Sequence, residues 1–485
     1  MLKLYNTLTK RVEVFRPLGK QVRMYNCGPT VYDFPHIGNY RSFCFVDVLK
    51  RYLIWKGYDV KHVTNITDVD DKIIKKVNES GKGLKEITSF YEKEFLKGLE
   101  LLNCIKADYY PRATEHIEEM RRLIQKLLDK GYAYLADDGI YFSISRFKGY
   151  GKLSGIKREQ LKAGARVAVQ EYSKEQASDF ALWKAWQEED GEIFWEPEFV
   201  VGGKRIKLKG RPGWHIECSA MSMKYLSESF DIHCGGIDLI FPHHENEIAQ
   251  SEAATGKQFV RYWLHNAHLL VEGQKMSKSL GNIYTLNDLI GKGYRGEEIR
   301  YVLINCHYRE TLNFRLSELD AARKTIQHII ETLRRLDLIK KKKTRGVEEK
   351  ERKKKTKKIQ KLLQDTRKRF EKEMDSDLNL SRAFSVFFEF LAEVNKSIDE
   401  IDKEEAREIM NFIYDLDRVF GLGLKKIYEA TKKIKIPKRI LELVERREKA
   451  RKEKNFELAD KLREEIKASG FWVDDTPYGP VVKKL

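Results

Sequence analysis

Residues 22–67 read VRMYNCGPTVYDFPHIGNYRSFCFVDVLKRYLIWKGYDVKHVTNIT, and this stretch decides the fold class. VRMYNCG at 22–28 predicts a buried strand that ends at a glycine, and YDVKHVTNIT at 58–67 predicts the next strand. Apolar residues at helical spacing predict a helix between them that ends at Gly57: Phe43, Val46, Leu49, Leu53 and Ile54. Strand, crossover helix and strand in this order predict a βαβ unit with a parallel sheet.

Outward from this unit, the pattern changes several times. Segment 131–210 is rich in strand patterns and breaks the α/β rhythm, so we interpret it as an insertion. FDIHCGGIDLIF at 230–241 predicts a strand, a glycine-rich turn and a helix, which restores the rhythm. From Leu316 to Leu422 the apolar spacing predicts a helical bundle. From Pro437, two charged helices lead to short strands around a Thr-Pro-Tyr-Gly turn.

The charge of the chain is unevenly distributed. Among 485 residues, 92 Lys+Arg against 74 Asp+Glu give a formal net charge of +18. The run Lys340–Lys358 (KKKKTRGVEEKERKKKTKK) holds twelve basic and three acidic residues, so half of the excess lies there. We interpret that run as a solvated insertion, partly disordered or helical. The remaining charge suits contact with nucleic acid.

Hydropathy argues against a membrane or secreted protein, and cysteine usage argues against a disulfide-stabilised one. No apolar run reaches the length of a membrane span, and the first residues lack the apolar stretch of a signal peptide, so we expect a soluble, cytoplasmic protein. The six cysteines lie far apart in the chain. This spacing disfavours a disulfide framework and favours buried thiols or metal ligands.

Two short motifs suit phosphate chemistry. PHIGNYR at 35–41 stands at the predicted strand-to-helix junction, where helix N-terminal amides attract a phosphate and His36 can contact it. EGQKMSKSLGN at 272–282 places Lys275 and Lys278 three apart in a polar loop, which suits stabilisation of a leaving group. Each motif alone has a simpler interpretation, a histidine at a helix start and a solvated loop.

The cluster FPHHENEIAQ at 241–250 could contribute to a metal site. On a helix, His243 and Glu247 share a face, whereas His244 is rotated by about 100° from His243. We therefore set His244 and Glu245 aside as ligands.

Two cysteines of the same α/β core could complete a tetrahedral zinc site, since zinc accepts sulfur, nitrogen and oxygen ligands. Cys27 follows the first strand, and Cys218 lies in GRPGWHIECSAM. An equally good interpretation from spacing alone is that both are buried free thiols and that His243 caps a helix.

The motifs together carry a family resemblance. HIGN and KMSKS, in this order, resemble the two signatures of class I aminoacyl-tRNA synthetases. NCGPTVYDFPHIGN, TNITDVDDKI, SDFALWK, GRPGWHIECSAM, DIHCGGIDLIFPHHENEIAQSEA and KMSKSLGN resemble stretches of the cysteinyl-tRNA synthetase family, in the family's order. NFELADKLR and DDTPYG resemble its anticodon-binding end. The resemblance covers nearly the whole chain.

The resemblance implies an α/β Rossmann-type (HUP-like) catalytic domain with an inserted connective domain, followed by an α-helical bundle and a small C-terminal α+β anticodon-binding module. The expected boundaries are 1–115 and 209–262 for the two catalytic halves, 116–208 for the connective domain, 263–320 for the KMSKS-bearing stem-contact region, 321–425 for the bundle with its lysine-rich insertion 340–358, and 426–485 for the C-terminal module.

The resemblance also implies the chemistry. Such an enzyme activates L-cysteine with ATP to cysteinyl-adenylate and pyrophosphate, then transfers cysteine to the 3′-terminal adenosine of tRNA(Cys). One Zn²⁺ held by Cys27, Cys218, His243 and Glu247 would bind the substrate thiolate and separate cysteine from serine without editing. Mg²⁺ would arrive with ATP. We expect a monomer.

The resemblance also implies roles for further residues, position by position. The residues of the two signatures act on ATP and its leaving group: His36, Gly38, Asn39, Lys275 and Lys278. Gly236 and Asp238 contact the ATP adenosine and ribose, unless they form only a tight turn. The cysteine pocket is formed by Cys27, Gly28, Thr67, Trp214 and His233, with core packing as the alternative for Trp214 and His233. The candidates for anticodon contact are Trp472, Asp474 and Asp475, although Trp472 could equally be core.

The chain departs from the family pattern at several positions. Asn39 replaces the second histidine of the HIGH-type signature and cannot carry charge. Cys234 replaces a glycine, which would place an extra thiol near the zinc site. FVVGGKRIKL at 199–208 is inserted and predicts a β-ribbon. Asn-Leu-Ser at 379–381 and Pro480 also differ, which puts details of the bundle and the anticodon contacts in doubt.

Two rival functions and one additional activity are compatible with parts of the sequence. A cysteine ligase that acts on an amino sugar shares the catalytic core, but its relatives lack the anticodon-binding end that follows Pro437 here. A zinc-dependent RNA-binding paralogue without activity conflicts with the intact signatures. KIIK at 72–75 resembles a lysine motif linked to pyridoxal-phosphate-dependent persulfide formation, and is more simply a surface lysine pair.

Overall fold

The computed structural model describes residues 1–157, 161–167, 177–277, 280–341, 349–433, 437–476 and 479–484. The chain divides into two units. The first comprises Met1–Ile326, Leu362–Phe390 and Arg418–Leu422, and the second comprises Gln327–Lys361, Leu391–Asp417 and Gly423–Leu485. Each unit is described by itself below.

The strands, in chain order, are β1 (Lys3–Asn6), β2 (Arg11–Val14), β3 (Gln21–Asn26), β4 (Asp59–Thr64), β5 (Ala133–Ala136), β6 (Gly139–Phe142), β7 (Leu161–Val167), β8 (Ala177–Ala185), β9 (Glu198–Val201), β10 (Lys204–Lys207), β11 (Gly210–Pro212), β12 (Phe230–Gly236), β13 (Val260–Asn266), β14 (Leu269–Val271), β15 (Gln274–Lys275), β16 (Leu312–Phe314), β17 (Phe471–Thr476) and β18 (Gly479–Lys484).

The helices, in chain order, are α1 (Ile37–Trp55), α2 (Asp71–Ser80), α3 (Leu84–Leu101), α4 (Ile117–Asp129), α5 (Trp214–Leu226), α6 (His243–Thr255), α7 (Leu286–Gly291), α8 (Gly296–Ile304), α9 (Leu316–Lys341), α10 (Glu349–Asp375), α11 (Leu380–Lys396), α12 (Lys403–Phe420), α13 (Leu424–Lys432), α14 (Lys438–Lys452) and α15 (Phe456–Ala468). No helix among the described residues is long and apolar enough to span a membrane.

A four-stranded parallel sheet organises the first unit. Its strand order is β13-β12-β3-β4, and every neighbouring pair is parallel. The β3–α1–β4 unit confirms the βαβ prediction, and α1 buries Cys44, Val48 and Leu49 completely. Segment 230–241 forms β12 and a short 3-10 turn, Ile237–Ile240, as predicted.

The two halves of the sheet meet between β3 and β12. From β3 the chain crosses through α1 to β4 on one side, and from β12 it crosses through α6 to β13 on the other. Ligands of open α/β sheets bind at the carboxyl ends of strands where the order reverses in this way. Here the Cys27 amide donates to the Cys234 carbonyl at 3.3 Å, which ties the two strand ends together.

The inserted segment forms a second, mostly antiparallel sheet. Its strand order is β11-β8-β6-β5, and β7 pairs with β8 in parallel. β9 and β10 pair as an antiparallel hairpin, as predicted for 199–208. Phe199 of this hairpin is fully buried, with its ring centroid 5.9 Å from that of Trp183 in β8.

A buried arginine joins α8 to α1 and to the ends of α3 and α12. Arg300 of α8 is fully buried, and its Nη2 donates to Asp47 of α1 at 2.5 Å. Its Nη1 donates to the Leu102 carbonyl at 3.0 Å and its Nε to the Phe420 carbonyl at 2.8 Å. Each nitrogen of the guanidinium therefore has an acceptor in a buried setting, where an unpaired charge would be costly.

The C-terminal part of the second unit contains two helices and a hairpin, as predicted. α14 and α15 pack together, and β17 pairs with β18 in an antiparallel register from Phe471–Lys484 to Thr476–Gly479. Leu443, Leu462, Ile466 and Val473 form its small core. Of the lysine-rich run, residues 342–348 lie outside the described residues, and α10 begins at Glu349. The six domain boundaries stay a prediction.

Candidate active site and metal centre

Four predicted side chains converge beside the carboxyl ends of β3 and β12. Cys27 follows β3, Cys218 lies in α5, and His243 and Glu247 lie one turn apart in α6. One donor atom of each lies within 4.8 Å of the other three. The Cys27 sulfur is 3.9 Å from the Cys218 sulfur and 3.8 Å from Glu247 Oε1, which is 3.1 Å from His243 Nε2.

The state of His243 fits a metal ligand. Its Nε2 is buried and has no hydrogen-bond partner. Its Nδ1 lies 2.9 Å from Nδ1 of His215, and the indole of Trp214 stacks on its ring with centroids 4.0 Å apart. A ligand histidine is commonly held in this way through its second nitrogen. Two sulfurs, one nitrogen and one oxygen form a donor set that zinc accepts.

His244 lies nearer the cluster than helical spacing indicates. Its Nε2 lies 3.3 Å from the Cys27 sulfur, and it belongs to a second possible donor group with Cys27, His233 and Glu247. Helical spacing describes only the face of one helix, so it does not show this second group. Cys27 and His233 approach from the strand ends, on the side to which His244 points.

Hydrogen bonds distinguish the two groups. His244 Nδ1 lies 2.7 Å from His265 Nε2, and His265 Nδ1 lies 2.8 Å from the Thr7 hydroxyl. His233 Nε2 lies 3.0 Å from Glu247 Oε2. The donor nitrogens of the second group are thus hydrogen-bonded, His244 Nε2 to Cys27 and His233 Nε2 to Glu247, whereas His243 Nε2 forms no hydrogen bond although Glu247 Oε1 lies 3.1 Å away. This difference favours the group of Cys27, Cys218, His243 and Glu247 as the metal donors.

The charges of the cluster follow from its burial. Burial raises the pKa of Glu247, but the imidazoles of His233 and His243 together lower it to about 2. Burial lowers the pKa of His243, but Glu247 and Cys218 raise it to about 10. Burial raises the pKa of Cys218, but the Cys27 thiol and His243 lower it to about 6. A carboxylate and a thiolate are therefore available as anionic donors.

The pKa values of His244 and His265, beside the cluster, are lowered. Burial lowers the pKa of His244 well below its usual range, and the neighbouring His233 and His265 lower it further. Burial lowers the pKa of His265 to about 3, and the neighbouring His233 adds to this effect. Both rings are therefore neutral, and each can accept at one nitrogen and donate at the other. The series of hydrogen bonds from the Thr7 hydroxyl through His265 and His244 to the Cys27 sulfur requires this.

The other predicted pocket residues lie around this cluster. A larger residue at position 28 would displace the neighbouring backbone, since a Cβ on Gly28 would lie 1.5 Å from the Asn65 carbonyl oxygen. Thr67 is buried, and its hydroxyl donates to Glu217 at 2.9 Å. The Cys234 thiol belongs to neither donor group, although a thiol near the metal was expected there. Its backbone, not its side chain, meets Cys27.

The HIGN segment forms the N-terminus of α1. The Asn39 amide donates to His36 Nδ1 at 3.2 Å, and the His36 amide donates to Asn39 Oδ1 at 3.0 Å. This reciprocal pair is a capping box. Because Nδ1 accepts, the proton of a neutral His36 lies on Nε2, where it can be donated to a substrate. Burial lowers the pKa of His36, which favours that neutral form.

The KMSKS segment contacts the HIGN segment directly. The Ile37 amide donates to the Tyr284 carbonyl at 2.9 Å, and Met276 lies so close to Gly38 that a Cβ there would be 2.6 Å from its methyl carbon. Lys275 lies exposed in β15. Lys278 lies outside the described residues. Gly236 ends β12, and Asp238 lies exposed in the turn that follows it.

The predicted anticodon candidates lie in β17. The guanidinium carbon of Arg463 lies 4.4 Å from the ring centroid of Trp472, which is half-buried. Asp474 and Asp475 belong to the same strand, and their side chains lie outside the described residues.

Comparison with known proteins adds the family. Residues 14–324 match the family described as tRNA synthetases class I (C) catalytic domain, and residues 369–425 match the DALR domain. The cysteine–tRNA ligase of Chlamydia muridarum is 44% identical over 503 residues, with 100% of each chain covered. That of Thermococcus onnurineus is 44% identical over 492 residues, with 100% of this chain and 99% of the relative covered.

The chain belongs to the cysteine–tRNA ligase family. Solved structures with similar folds are more distant. A methionyl-tRNA synthetase of Mycobacterium tuberculosis with methionyl-adenylate has a TM-score of 0.58 at 14% identity, covering 83% of this chain and 90% of that one. A LeuRS of Agrobacterium radiobacter has a TM-score of 0.62 at 10% identity, covering 86% of each chain. The predicted class I synthetase fold with a helical C-terminal region is thus confirmed.

Sequence reasoning missed four buried residues of this cysteine–tRNA ligase family site. They are His215, Glu217, His244 and His265. His215 and Glu217 flank positions already chosen in GRPGWHIECSAM, and His244 adjoins His243. Polar residues beside ligands in a helix are a usable signal for a supporting hydrogen-bond shell. His265 carries no such signal, because it lies on another strand.

Proposed function

We propose that this chain ligates L-cysteine to tRNA(Cys) in two steps, adenylation with ATP and transfer to the 3′-terminal adenosine. Family membership gives the reaction. The observation that carries the amino-acid specificity is the cluster of Cys27, Cys218, His243 and Glu247, whose donor atoms lie within 4.8 Å of one another. It lies at the strand ends where α/β enzymes bind ligands.

We assign these four residues as the donors for one Zn²⁺. When bound, zinc supplies a Lewis acid that favours a substrate thiolate over the hydroxyl of serine, so no editing is required. His215 Nδ1, 2.9 Å from His243 Nδ1, orients the imidazole. His233 Nε2, 3.0 Å from Glu247 Oε2, orients the carboxylate. Trp214, at the start of α5, forms one wall of the pocket.

Four protein donors normally close a zinc site, so substrate entry needs a donor that yields or a fifth position. Glu247 is the donor that we expect to yield, because a carboxylate has two oxygens and His233 already engages one of them. The Glu247→Gln variant tests this role. Retention of zinc together with unchanged cysteine affinity and unchanged cysteine/serine selectivity would contradict it.

Adenylation uses the two signature segments. The carboxylate of cysteine attacks the α-phosphate of ATP, and pyrophosphate leaves. His36 donates from Nε2 to the phosphates, Gly38 allows close approach at the helix N-terminus, and Lys275 with Lys278 stabilises the leaving group. Gly236 and Asp238 contact the adenosine. Mg²⁺ accompanies ATP.

In the transfer step, a hydroxyl of the terminal adenosine takes the cysteinyl group, and the protein contributes positioning. Residues 426–485 bind the anticodon, with Trp472, Asp474 and Asp475 as candidate contacts. We expect the enzyme to be a cytoplasmic monomer.

Three measurements test the proposal. Purified protein should contain about one zinc per chain and should support cysteine-dependent exchange between ATP and pyrophosphate. It should then charge tRNA(Cys) with cysteine. Exchange without charging would favour the amino-sugar ligase, and no exchange would leave only the RNA-binding paralogue.

A further inference from the structure

An exposed aromatic cluster borders the HIGN segment and takes no part in the chemistry above. Phe34 lies two residues before His36 and is 37% exposed, and Phe90 of α3 is 50% exposed. Their ring centroids are 5.9 Å apart, and the ring of Tyr91 lies 5.4 Å from Phe34 and 5.1 Å from Phe90, all edge to face. Single exposed apolar residues are ordinary, but contiguous exposed rings indicate a binding surface.

Two lysines of α2 lie beside aromatic rings of this region, Lys76 at Tyr91 of the cluster and Lys72 at Tyr32, two residues before Phe34. Lys76 Nζ is 5.9 Å from the ring centroid of Tyr91, and Lys72 Nζ is 5.8 Å from that of Tyr32. Neither lysine forms an ion pair with a carboxylate in the part of the chain that the structure describes. By contrast, Lys75 on the same helix faces Glu79 at 3.8 Å. Exposed rings with available cations complement a strand that carries both bases and phosphates.

The cluster continues along one face of α3. Residues on this face recur at helical spacing: Phe90, Glu94, Lys97 and Leu101. Three of them line a cavity of about 240 Å³ whose opposite wall includes Phe34 and Thr285. The negative charge of Glu94 is offset by Lys97, whose Nζ is 2.5 Å away. The exposed rings are therefore continuous with space between the HIGN helix and the residues that follow KMSKS.

We propose that the aromatic–lysine surface, formed by Phe34, Phe90, Tyr91, Lys72 and Lys76, stacks the unpaired 3′-terminal nucleotides of the substrate tRNA. The inference rests on the proposed function, since it takes the substrate to be a tRNA. The 3′ end of that tRNA must reach the cysteinyl-adenylate, whose phosphate we assign to His36, and this surface adjoins His36. Lysines rather than further apolar residues flank the rings, which favours nucleotides over an apolar protein segment.

Charging kinetics provide the first test. Because stacking of one base on an aromatic side chain is worth roughly 1–3 kcal/mol, Phe90→Ala should raise the KM for tRNA about five-fold or more. Cysteine-dependent ATP–pyrophosphate exchange, which needs no tRNA, should stay unchanged. Phe90→Trp should keep the wild-type KM, because it keeps an aromatic face. Val12→Ala, at an apolar side chain that is 50% exposed in β2, is the control.

The lysine component has a matched control on the same helix. Lys76→Ala should raise the KM for tRNA and reduce its dependence on salt concentration, since one phosphate contact is lost. Lys75→Ala should change both less, because Lys75 already faces Glu79. Equal effects of the two variants would overturn the assignment of Lys76.

A binding cycle identifies the part of the tRNA that is bound. The affinities of the wild type and Phe90→Ala are measured for intact tRNA(Cys) and for the same tRNA without its unpaired 3′ nucleotides. The difference between the proteins should disappear with the truncated RNA. A difference that persists, an unchanged KM in Phe90→Ala, a KM that rises equally in Phe90→Trp, or a parallel loss of exchange activity overturns the proposal. Absence of exchange in the wild type is instead a failure of the proposed function, and the binding cycle does not depend on it.

Discussion

The four-donor cluster and the two signature segments lie at the same end of the parallel sheet, but they are built differently. Cys218, His243 and Glu247 are at most 1% exposed, Cys27 is half-buried, and buried histidines surround the cluster. Lys275 and Asn39 are exposed, and Lys275 lies in a strand of two residues. The site that distinguishes cysteine is enclosed and held by many neighbours, whereas the site that handles ATP phosphates faces solvent.

The difference has an electrostatic consequence. In an enclosed site, removal of one partner leaves other buried groups without compensation, so single substitutions have large effects. Exposed lysines act through water and salt, and their charges are partly screened. We therefore expect the largest losses from substitutions in the cluster and smaller ones from the signature segments.

The largest effect is expected for Cys218→Ala. Loss of one of four donors should remove the bound zinc and lower cysteine-dependent exchange by more than about 100-fold, since even supporting residues around a metal contribute 10- to 100-fold. Zinc content after dialysis and the exchange rate are the measurements. Cys234→Ala is the matched control, because Cys234 is also buried but belongs to neither donor group. Zinc retained in Cys218→Ala would mean that the donor set is wrongly chosen.

The next effect tests the exposed site. Lys275→Ala should lower the rate constant of exchange by roughly 100-fold, the lower end of the range for removal of a donor that stabilises developing charge. Zinc content should stay unchanged, because Lys275 lies outside both donor groups. Lys292→Ala, at another exposed lysine, should have no effect. If zinc content fell with Lys275→Ala, the two regions would not be separable.

His233→Ala should have an intermediate effect, because it removes a hydrogen bond that supports one donor of the enclosed cluster. Without the contact at 3.0 Å, Glu247 loses the partner that orients it. We expect zinc affinity or the affinity for cysteine to fall about 10- to 100-fold, while the KM for ATP stays the same. Metal competition with a chelator and the KM for each substrate are the measurements. A change confined to the KM for ATP would show that His233 acts elsewhere.

Local pattern predicted much of the fold and part of the site. The β3–α1–β4 unit was predicted from helical and strand periodicity, because neighbours along the chain determine it. The short strands β14, β15 and β16 escaped prediction, since two or three residues carry no measurable period. Of the candidate site, Cys27, Cys218, His243 and Glu247 were chosen with the help of the family resemblance, and the structure brings them together.

His244 shows the limit of that reasoning. Helical spacing tells which residues of α6 share a face, but not which strands approach its other faces. Cys27 lies more than 200 positions from His244 in the sequence, and His233 lies about ten positions from it. Only the tertiary fold brings both of them to His244. A rule based on one helix therefore indicates which residues share a face, but not which neighbours from other elements contact the remaining faces.

The smallest expected effect concerns Asn39, the position where the chain departs from the HIGH-type signature. Asn39→Ala removes the hydrogen bond that Asn39 Oδ1 accepts from the His36 backbone amide, which should cost about 1 kcal/mol of stability and lower the melting temperature by a few degrees. The backbone amide of residue 39 still donates to His36 Nδ1 and keeps the ring oriented, so the exchange rate should fall no more than several-fold. Differential scanning calorimetry and the exchange assay are the measurements.

Asn39→His separates capping from charge. An imidazole can accept from the His36 amide through Nδ1, so this variant should recover most of the stability and most of the activity. Recovery of stability without activity would mean that Asn39 contacts the nucleotide itself and does more than cap α1. Equal loss of stability and activity in Asn39→Ala and Asn39→His would mean that only an amide side chain can accept the hydrogen bond at the start of α1. The exposed region would then depend on local hydrogen bonds as strictly as the enclosed cluster does.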